Sequence, residues 1–477
     1  MREARWKEDI AFLATELPRL HPGAFARMPR ETWEVAARAL ADEVPRLQDH
    51  EVVVGLRRLV ASLSDEQTAV QWPVAVPSGP PPALAPGKLA PVVTPTGDGL
   101  AGFGRYPITL RCFGDGVFAT GTTAHGAVAL RGRLLAIGEV PIDEAVARAT
   151  TLVSGSGESA ALEQLPLLLT TPQVLAALGL AEGLTAATYL FTRPPPEPDD
   201  GPPPGAADEG GAEPEPDGAE GPPPEPEEEP DATVELALAA MRPGNRYDWK
   251  CVDAPPTAPR ADRPCWFTVL PEDRAVLVQC SGPEDSDALA ASMAASAAAG
   301  DASALEGVRT DRAATDSTQL ADAAASTMDG SVRSALAALD GMPGARLVVD
   351  LRRDRSAATR LQPLIEGLRT RPAIRRDRLV VLCGRGTRAA GVQDAWSLQR
   401  EFGARTVGEP TAGRLDGGRE TADLQLPWSR LRVSYPTDGA APPSDARSLM
   451  PDVVVAESSA DWFAGRDAAL AAALSAP

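Results

Sequence analysis

The chain is short of aromatic residues, of histidine and of positive charge, and each shortage closes off a class of function. Aromatics make up 4% of the 477 residues, against 43% hydrophobic residues in all. Much of the apolar content is therefore alanine, and the cores are expected to be helix-rich and lean in large side chains. The formal net charge of −20 argues against a nucleic-acid partner or adhesion to an anionic membrane, both of which need a basic surface. No apolar run reaches the roughly 18 residues that a membrane span needs. Met1 to Phe12 carries charges throughout in place of a signal-peptide core. The five cysteines, Cys112, Cys251, Cys265, Cys280 and Cys383, include no CxxC pair and have no histidine close by. Zinc-ligand spacing is missing, and an odd count fits buried free thiols in a reducing compartment better than a disulfide framework. The expectation is a cytoplasmic chain without a metal or a cofactor.

What is present is unevenly spread. Residues 194–231 hold fourteen Asp or Glu, fourteen prolines and no Lys or Arg, so the rest of the chain carries a formal charge of only −6. Proline removes backbone donors, like charges repel, and no other apolar side chain larger than alanine offsets the ordering entropy, so the segment is expected to be an extended, disordered spacer. It divides the sequence. Residues 1–72 read as a helical bundle: Trp6, Ile10, Leu13 and Leu17 share one helix face, and Trp33, Ala37, Leu40 and Val44 share another. Asp49 is placed to N-cap a third helix with the stripe Val52, Leu56, Leu59, Val60 and Leu63. Residues 73–193 open on a proline-rich connector and then change to strand periodicity. Ile108, Leu110 and Cys112 alternate, Asp115-Gly116 turns, and the run Leu130–Ile142 leads into a helix from Asp143.

The region 232–477 begins with the hairpin Trp266–Leu270 and Ala275–Gln279, followed by an Ala/Ser/Asp-rich insertion near 281–330 with one weak helix over 286–299. Helices and strands then alternate: Ser331–Leu339, Arg346–Leu351, Thr359–Leu368, Leu379–Cys383, Ala390–Phe402, Arg405–Val407. That order predicts βαβ crossovers and a largely parallel sheet. The fold class expected is thus a multidomain α/β chain.

Several landmarks, in order, resemble the tail-specific (C-terminal-processing) serine peptidases, serine peptidase family forty-one, and the related tricorn-core group. Leu59 to Thr68 is similar to that group's L-x-A-x-L-G-D-x-H-T. The strand, glycine turn, strand and helix over 130–152 look like the second half of a PDZ module. Val348-Val349-Asp350-Leu351-Arg352 resembles the family's D-L-R strand end, and Gly384-Arg385-Gly386-Thr387 its approach to the nucleophile. Val407 to Arg414 is similar to V-G-E-P-T-x-G-K, and Met450-Pro451-Asp452-Val453-Val454-Val455 to the family's P-D-x-x-V. The resemblance implies a helical bundle, a PDZ-like α+β module and a C-terminal ClpP/crotonase-like peptidase core.

It also implies where the chemistry should sit. The nucleophile position is Ala389, the lysine position is Arg414, and the histidine position of the tricorn-like branch is Gln67. A methyl group cannot attack a carbonyl, and a guanidinium, which stays protonated in proteins, cannot act as a general base. The glycine-rich turn after the D-L-R strand, whose amides should help form an oxyanion hole, reads Arg353-Asp354-Arg355-Ser356-Ala357. Thr387, Ser397 and Ser356 read as ordinary surface or cap residues. Arg352, Arg353, Arg355, Arg388 and Arg414 fall near the emptied cleft, where they would suit a carboxylate or an acidic peptide. The reading is a non-catalytic, peptidase-like protein whose partner is a peptide or a protein C-terminus. The alternatives are an active serine-type peptidase using other residues, and a small-molecule or lipid carrier, since retinoid-binding proteins also resemble this family.

Overall fold

The computed structural model describes residues 1–73, 102–155, 157–193, 233–242, 245, 247–257, 265–281, 328–355, 361–415, 421–438 and 448–475. The connector beyond Pro73, the acidic proline-rich segment and the helix expected at 286–299 lie outside these residues.

Three helices open the chain: α1 (Arg2–Leu20), α2 (Arg30–Glu43) and α3 (Asp49–Ala61). Their apolar stripes are the expected ones, with Trp6, Ile10, Leu13, Leu17, Trp33, Val52, Leu56 and Val60 all buried. The N-cap of α3 differs from the expectation. Gln48 caps it in a reciprocal capping box with Glu51, because the Asp49 carboxylate is already engaged by Trp6 Nε1 (2.8 Å) and Arg2 Nε (2.6 Å). After α3 the short strand β1 (Ala69–Val70) pairs with a hairpin from the far end of the chain.

The middle region holds β2 (Ile108–Phe113), β3 (Gly116–Thr123), β4 (Leu134–Ile137), β5 (Val140–Pro141), α4 (Ile142–Thr150), α5 (Glu158–Leu168), α6 (Pro172–Ala177) and β6 (Ala186–Thr192). The strands that follow the acidic segment, β7 (Thr233–Ala239) and β8 (Trp249–Cys251), complete these sheets. Strand β7 pairs with β6 along seven residues, and β8 pairs with β3. Two sheets result, ordered β2-β3-β8 and β5-β4-β6-β7. Sheet membership thus crosses the sequence division at 232.

The last region alternates as expected: β9 (Cys265–Leu270), β10 (Ala275–Ser281), α7 (Met328–Asp340), β11 (Arg346–Arg353), α8 (Gln362–Arg369), β12 (Leu379–Cys383), α9 (Ala390–Phe402) and β13 (Arg405–Gly408). Then come β14 (Thr421–Gln425) and β15 (Arg432–Pro436), the hairpin that pairs with β1, and finally β16 (Val453–Val454), α10 (Ser459–Phe463) and α11 (Ala468–Ser475). The central sheet runs β16-β13-β12-β11-β10-β9 and is parallel except at its β9 edge. Strand β12 and the stretches Ala275–Val278 of β10 and Leu347–Val349 of β11 are apolar and buried because helices cover both faces. The whole is a mixed α/β, multidomain chain. No helix among the described residues is long and apolar enough to cross a membrane.

Candidate functional site

In a parallel sheet the carboxyl ends of the strands face a crevice, and here that end is built around one sharp turn. Strand β12 ends at Cys383, the chain turns through 384–388, and α9 starts at Ala390. Thr387 ties the turn down: its buried hydroxyl donates to the Leu351 carbonyl (2.8 Å) and accepts from the Gly384 N–H (3.0 Å). The Arg388 N–H donates to the Asp354 carbonyl at 2.9 Å. A Cβ at Gly386 would stand 2.5 Å from the Arg352 carbonyl oxygen, so only glycine fits. Ala389 tops the turn at φ 46°, ψ −121°. Non-glycine residues enter that region only when the surroundings hold them there. A strained residue at a strand–turn–helix apex is how α/β hydrolases expose a nucleophile. Here the apex presents a methyl group.

A second loop closes against this turn. Ser64 takes φ 57°, a left-handed conformation that favours the glycine found at this place in the pattern noted above. Asp65 then braces the loop, accepting from the Gln67 N–H (3.2 Å) and the Thr68 hydroxyl and pairing with His21 Nε2 (2.9 Å). Burial works to raise the Asp65 pKa, but the contacts with His21 and Thr68 outweigh it and hold the carboxyl below its usual value. The braced loop directs Glu66 inward. Glu66 Oε1 accepts the Arg414 N–H at 3.2 Å, and Oε2 has no hydrogen-bond partner among the described residues. Burial pushes this carboxyl up to about 7, against the opposing pull of Arg388.

Next to the turn lies a cavity of about 530 Å³. One wall is the carboxyl ends of β11, β12 and β13, through Arg352, Cys383 and Gly408, with Val455 just beyond β16. The facing wall comes from β2 and α5. Eight arginines and four carboxylates line it, a formal surplus of four positive charges in a strongly acidic chain. Most of the arginines are neutralised in place. Arg352 bridges Asp350 and Asp467 (2.7 and 2.9 Å), Arg385 pairs with Glu409 (2.6 Å), Arg111 with Glu457 (2.6 Å), Arg466 with Asp461 (2.9 Å), and Arg355 with Glu163. Burial alone would lower the Arg352 pKa, and its two aspartates overcome that and raise it. Among the described residues Arg353 and Arg388 form no carboxylate ion pair and the buried Arg388 Nη2 has no hydrogen-bond partner.

The sequence-predicted residues therefore separate. Arg352, Arg353, Arg355 and Arg388 share the cavity, but Arg414 does not line it. Its neighbour Gly413 is wedged against Thr387 and Arg388, which leaves Arg414 behind the turn with its amide on Glu66. Gln67 is half-buried beside Glu66. Glu66 itself escaped the sequence reading because no local pattern marks it. Thr387 is buried rather than superficial, Ser397 is half-buried on α9, and Ser356 lies outside the described residues. Four cysteines are buried as expected, but Cys251 is exposed.

Chemically, the cavity wall offers few activated groups. Burial pushes the Cys383 thiol up to about 12 and the Cys112 thiol up to about 11, so both stay protonated. The Ser458 hydroxyl serves as the N-cap of α10, accepting the Asp461 N–H. Among the described residues no group of three or more His, Cys, Asp or Glu could hold a metal ion.

No family model matches the sequence, and no curated protein does. Solved structures do match. Mature CPAF in complex with lactacystin aligns with a TM-score of 0.53 and 9% identity, covering 97% of this chain and 96% of that one. Mature CPAF alone gives 0.50 and 9%, over 97% and 94%, and a CPAF point mutant gives 0.51 and 9%, over 97% and 95%. The likeness at this identity is one of fold: the chain has a peptidase-like architecture over nearly its whole length.

Proposed function

We propose that this chain is a pseudopeptidase of the tail-specific type, a protein that keeps the cleft of a serine peptidase and uses it to hold a peptide or protein terminus without cutting it. The observation that carries the reading is Ala389. Its strained backbone is the one an exposed nucleophile needs, while its side chain has nothing to donate to a carbonyl. The position carried over as the lysine base, Arg414, follows Gly413, which lies against the same turn, but holds a guanidinium where a neutral amine is needed.

The finer layout belongs to the same proposal. The sheets built from β2–β8 with α4 fit a PDZ-like module, and the β9–β16 sheet with its covering helices fits a ClpP/crotonase-like core. Binding is assigned to the cavity because Arg353 and Arg388, which form no carboxylate ion pair among the described residues, stand beside the α9 N-terminus, where backbone amides and the helix dipole also favour negative charge. A free carboxylate is the peptide group that matches both. Incubating the purified protein with casein and with a fluorophosphonate probe tests the non-catalytic part. Neither hydrolysis above background nor a labelled residue is expected, and specific labelling at the cleft would promote an active-peptidase reading.

A further inference from the structure

Two thiols that the proposed cleft chemistry does not use face each other at the edge of the central sheet. Cys265, the first residue of β9, and Cys280, in β10, are direct cross-strand partners, and their sulfurs are 3.3 Å apart. Directly opposed antiparallel residues have Cα atoms about 4.5–5.5 Å apart, which lies within the spacing a disulfide spans. Both side chains are buried, so neither sulfur has to travel through solvent to meet the other. The setting matters mechanically as well. Strand β9 is the antiparallel edge of the sheet, paired among the described strands only with β10, with the Ser331 hydroxyl of α7 donating to the Cys265 carbonyl, and Ser281, the next residue after Cys280, is in register with Arg353.

We propose that Cys265 and Cys280 form an oxidisable pair that closes to a disulfide under hydroperoxide and fastens β9 to β10. In the first step the Cys265 sulfur attacks a peroxide oxygen, giving Cys265 sulfenic acid and one water. In the second, Cys280 sulfur displaces the sulfenic oxygen, forming the S–S bond and releasing a second water. Two thiols lose two electrons and two protons, and one hydrogen peroxide is reduced to two waters. The thiol–thiol contact sets this order, because it lowers the Cys265 pKa and raises that of Cys280. The thiolate is the better nucleophile. The partner sulfur already in contact traps the sulfenic acid before it can oxidise further.

The test treats the full chain with hydrogen peroxide, blocks remaining thiols under denaturing conditions, and maps peptides without reduction. The expected product is one linked pair joining the Cys265 and Cys280 peptides, lighter than the two separate peptides by two hydrogens and split by dithiothreitol. Amide exchange over 265–270 should slow in the oxidised protein and recover on reduction. Cys265→Ser should abolish the linked peptide, and because that variant could misfold, Cys280→Ala and the wild-type map provide independent readings. Recovery of both residues as separate thiols or sulfinic acids, under conditions where exposed Cys251 has reacted, would overturn the proposal. A linkage of either residue to a different cysteine, or unchanged exchange over 265–270 in a linked product, would overturn it equally.

Discussion

Gly413 donates its backbone N–H to the Thr387 carbonyl at 3.1 Å, so the segment leading to Arg414 lies directly against the turn that carries Ala389. Two segments about 25 residues apart in the sequence are thereby in contact, although Arg414 itself does not line the cavity. The turn is held in place by Thr387, Gly386 and the Asp354 carbonyl rather than by anything Ala389 contributes.

It follows that the strain at Ala389 should be recoverable. Backbone held in such a region costs on the order of 1–3 kcal/mol for a residue with a Cβ, and glycine has no such penalty. Ala389→Gly should raise unfolding free energy by about 1 kcal/mol, offset in part by the added freedom of the unfolded chain. Ala389→Val should lower it. Urea denaturation of the three proteins measures the order directly, and a glycine variant less stable than the parent would show that the apex is not strained.

Glu66 gives a pH signature of opposite sign to an ordinary ion-paired carboxylate. Its folded pKa of about 7 stands above the usual 4.5 because burial penalises the charged form. Between those values the native state holds a proton that the unfolded chain has released, so stability falls as pH rises through that window. The full shift corresponds to at most about 3 kcal/mol. Glu66→Gln keeps a carbonyl for the Arg414 N–H and removes the charge. The variant should be more stable than the parent at pH 8 and indistinguishable from it below pH ~4.5, as read from denaturation curves across pH. A constant difference at every pH would contradict the assignment.

Much of this was legible in the sequence, and the misses have physical causes. Alternation of apolar strands and amphipathic helices revealed the parallel sheet, because each strand's burial is written in its own composition. The strand–turn–helix around Ala389 was legible through the landmarks around it, whereas the placement of Arg414 outside the cavity was not. The ion pair of Arg352 with Asp467 was not either, since 115 residues separate the two. Nor was the raised pKa of Glu66, which depends on burial created by packing from distant segments. The pairing of β6 with β7 was hidden for the same reason: a long acidic, proline-rich segment separates two strands that belong together.

That pairing yields its own expectation. Cleavage at a protease site engineered within 194–231 should leave two fragments that still co-elute on gel filtration, because Ala186–Thr192 and Thr233–Ala239 are joined along seven registered positions. Burial of Leu236 and Leu238 in the same core as Tyr189 and Phe191 adds to that hold. Fragments that separate without denaturant would contradict the shared sheet.

The cleft reading is tested most directly by one titration: an acidic peptide with a free C-terminal carboxylate, and the same peptide amidated, each followed by fluorescence anisotropy and then by intact mass. The account predicts that the carboxylate form binds more tightly, that its affinity falls as salt rises, and that the peptide is recovered whole. Arg353→Ala or Arg388→Ala should each weaken binding by about tenfold or more, the range of a charged hydrogen bond sheltered from water. Arg352→Ala should instead destabilise the fold, since it leaves Asp350 and Asp467 as unpaired buried carboxylates. A cleaved peptide, or equal affinity for both peptides that neither salt nor the Arg353 and Arg388 variants change, would contradict the account.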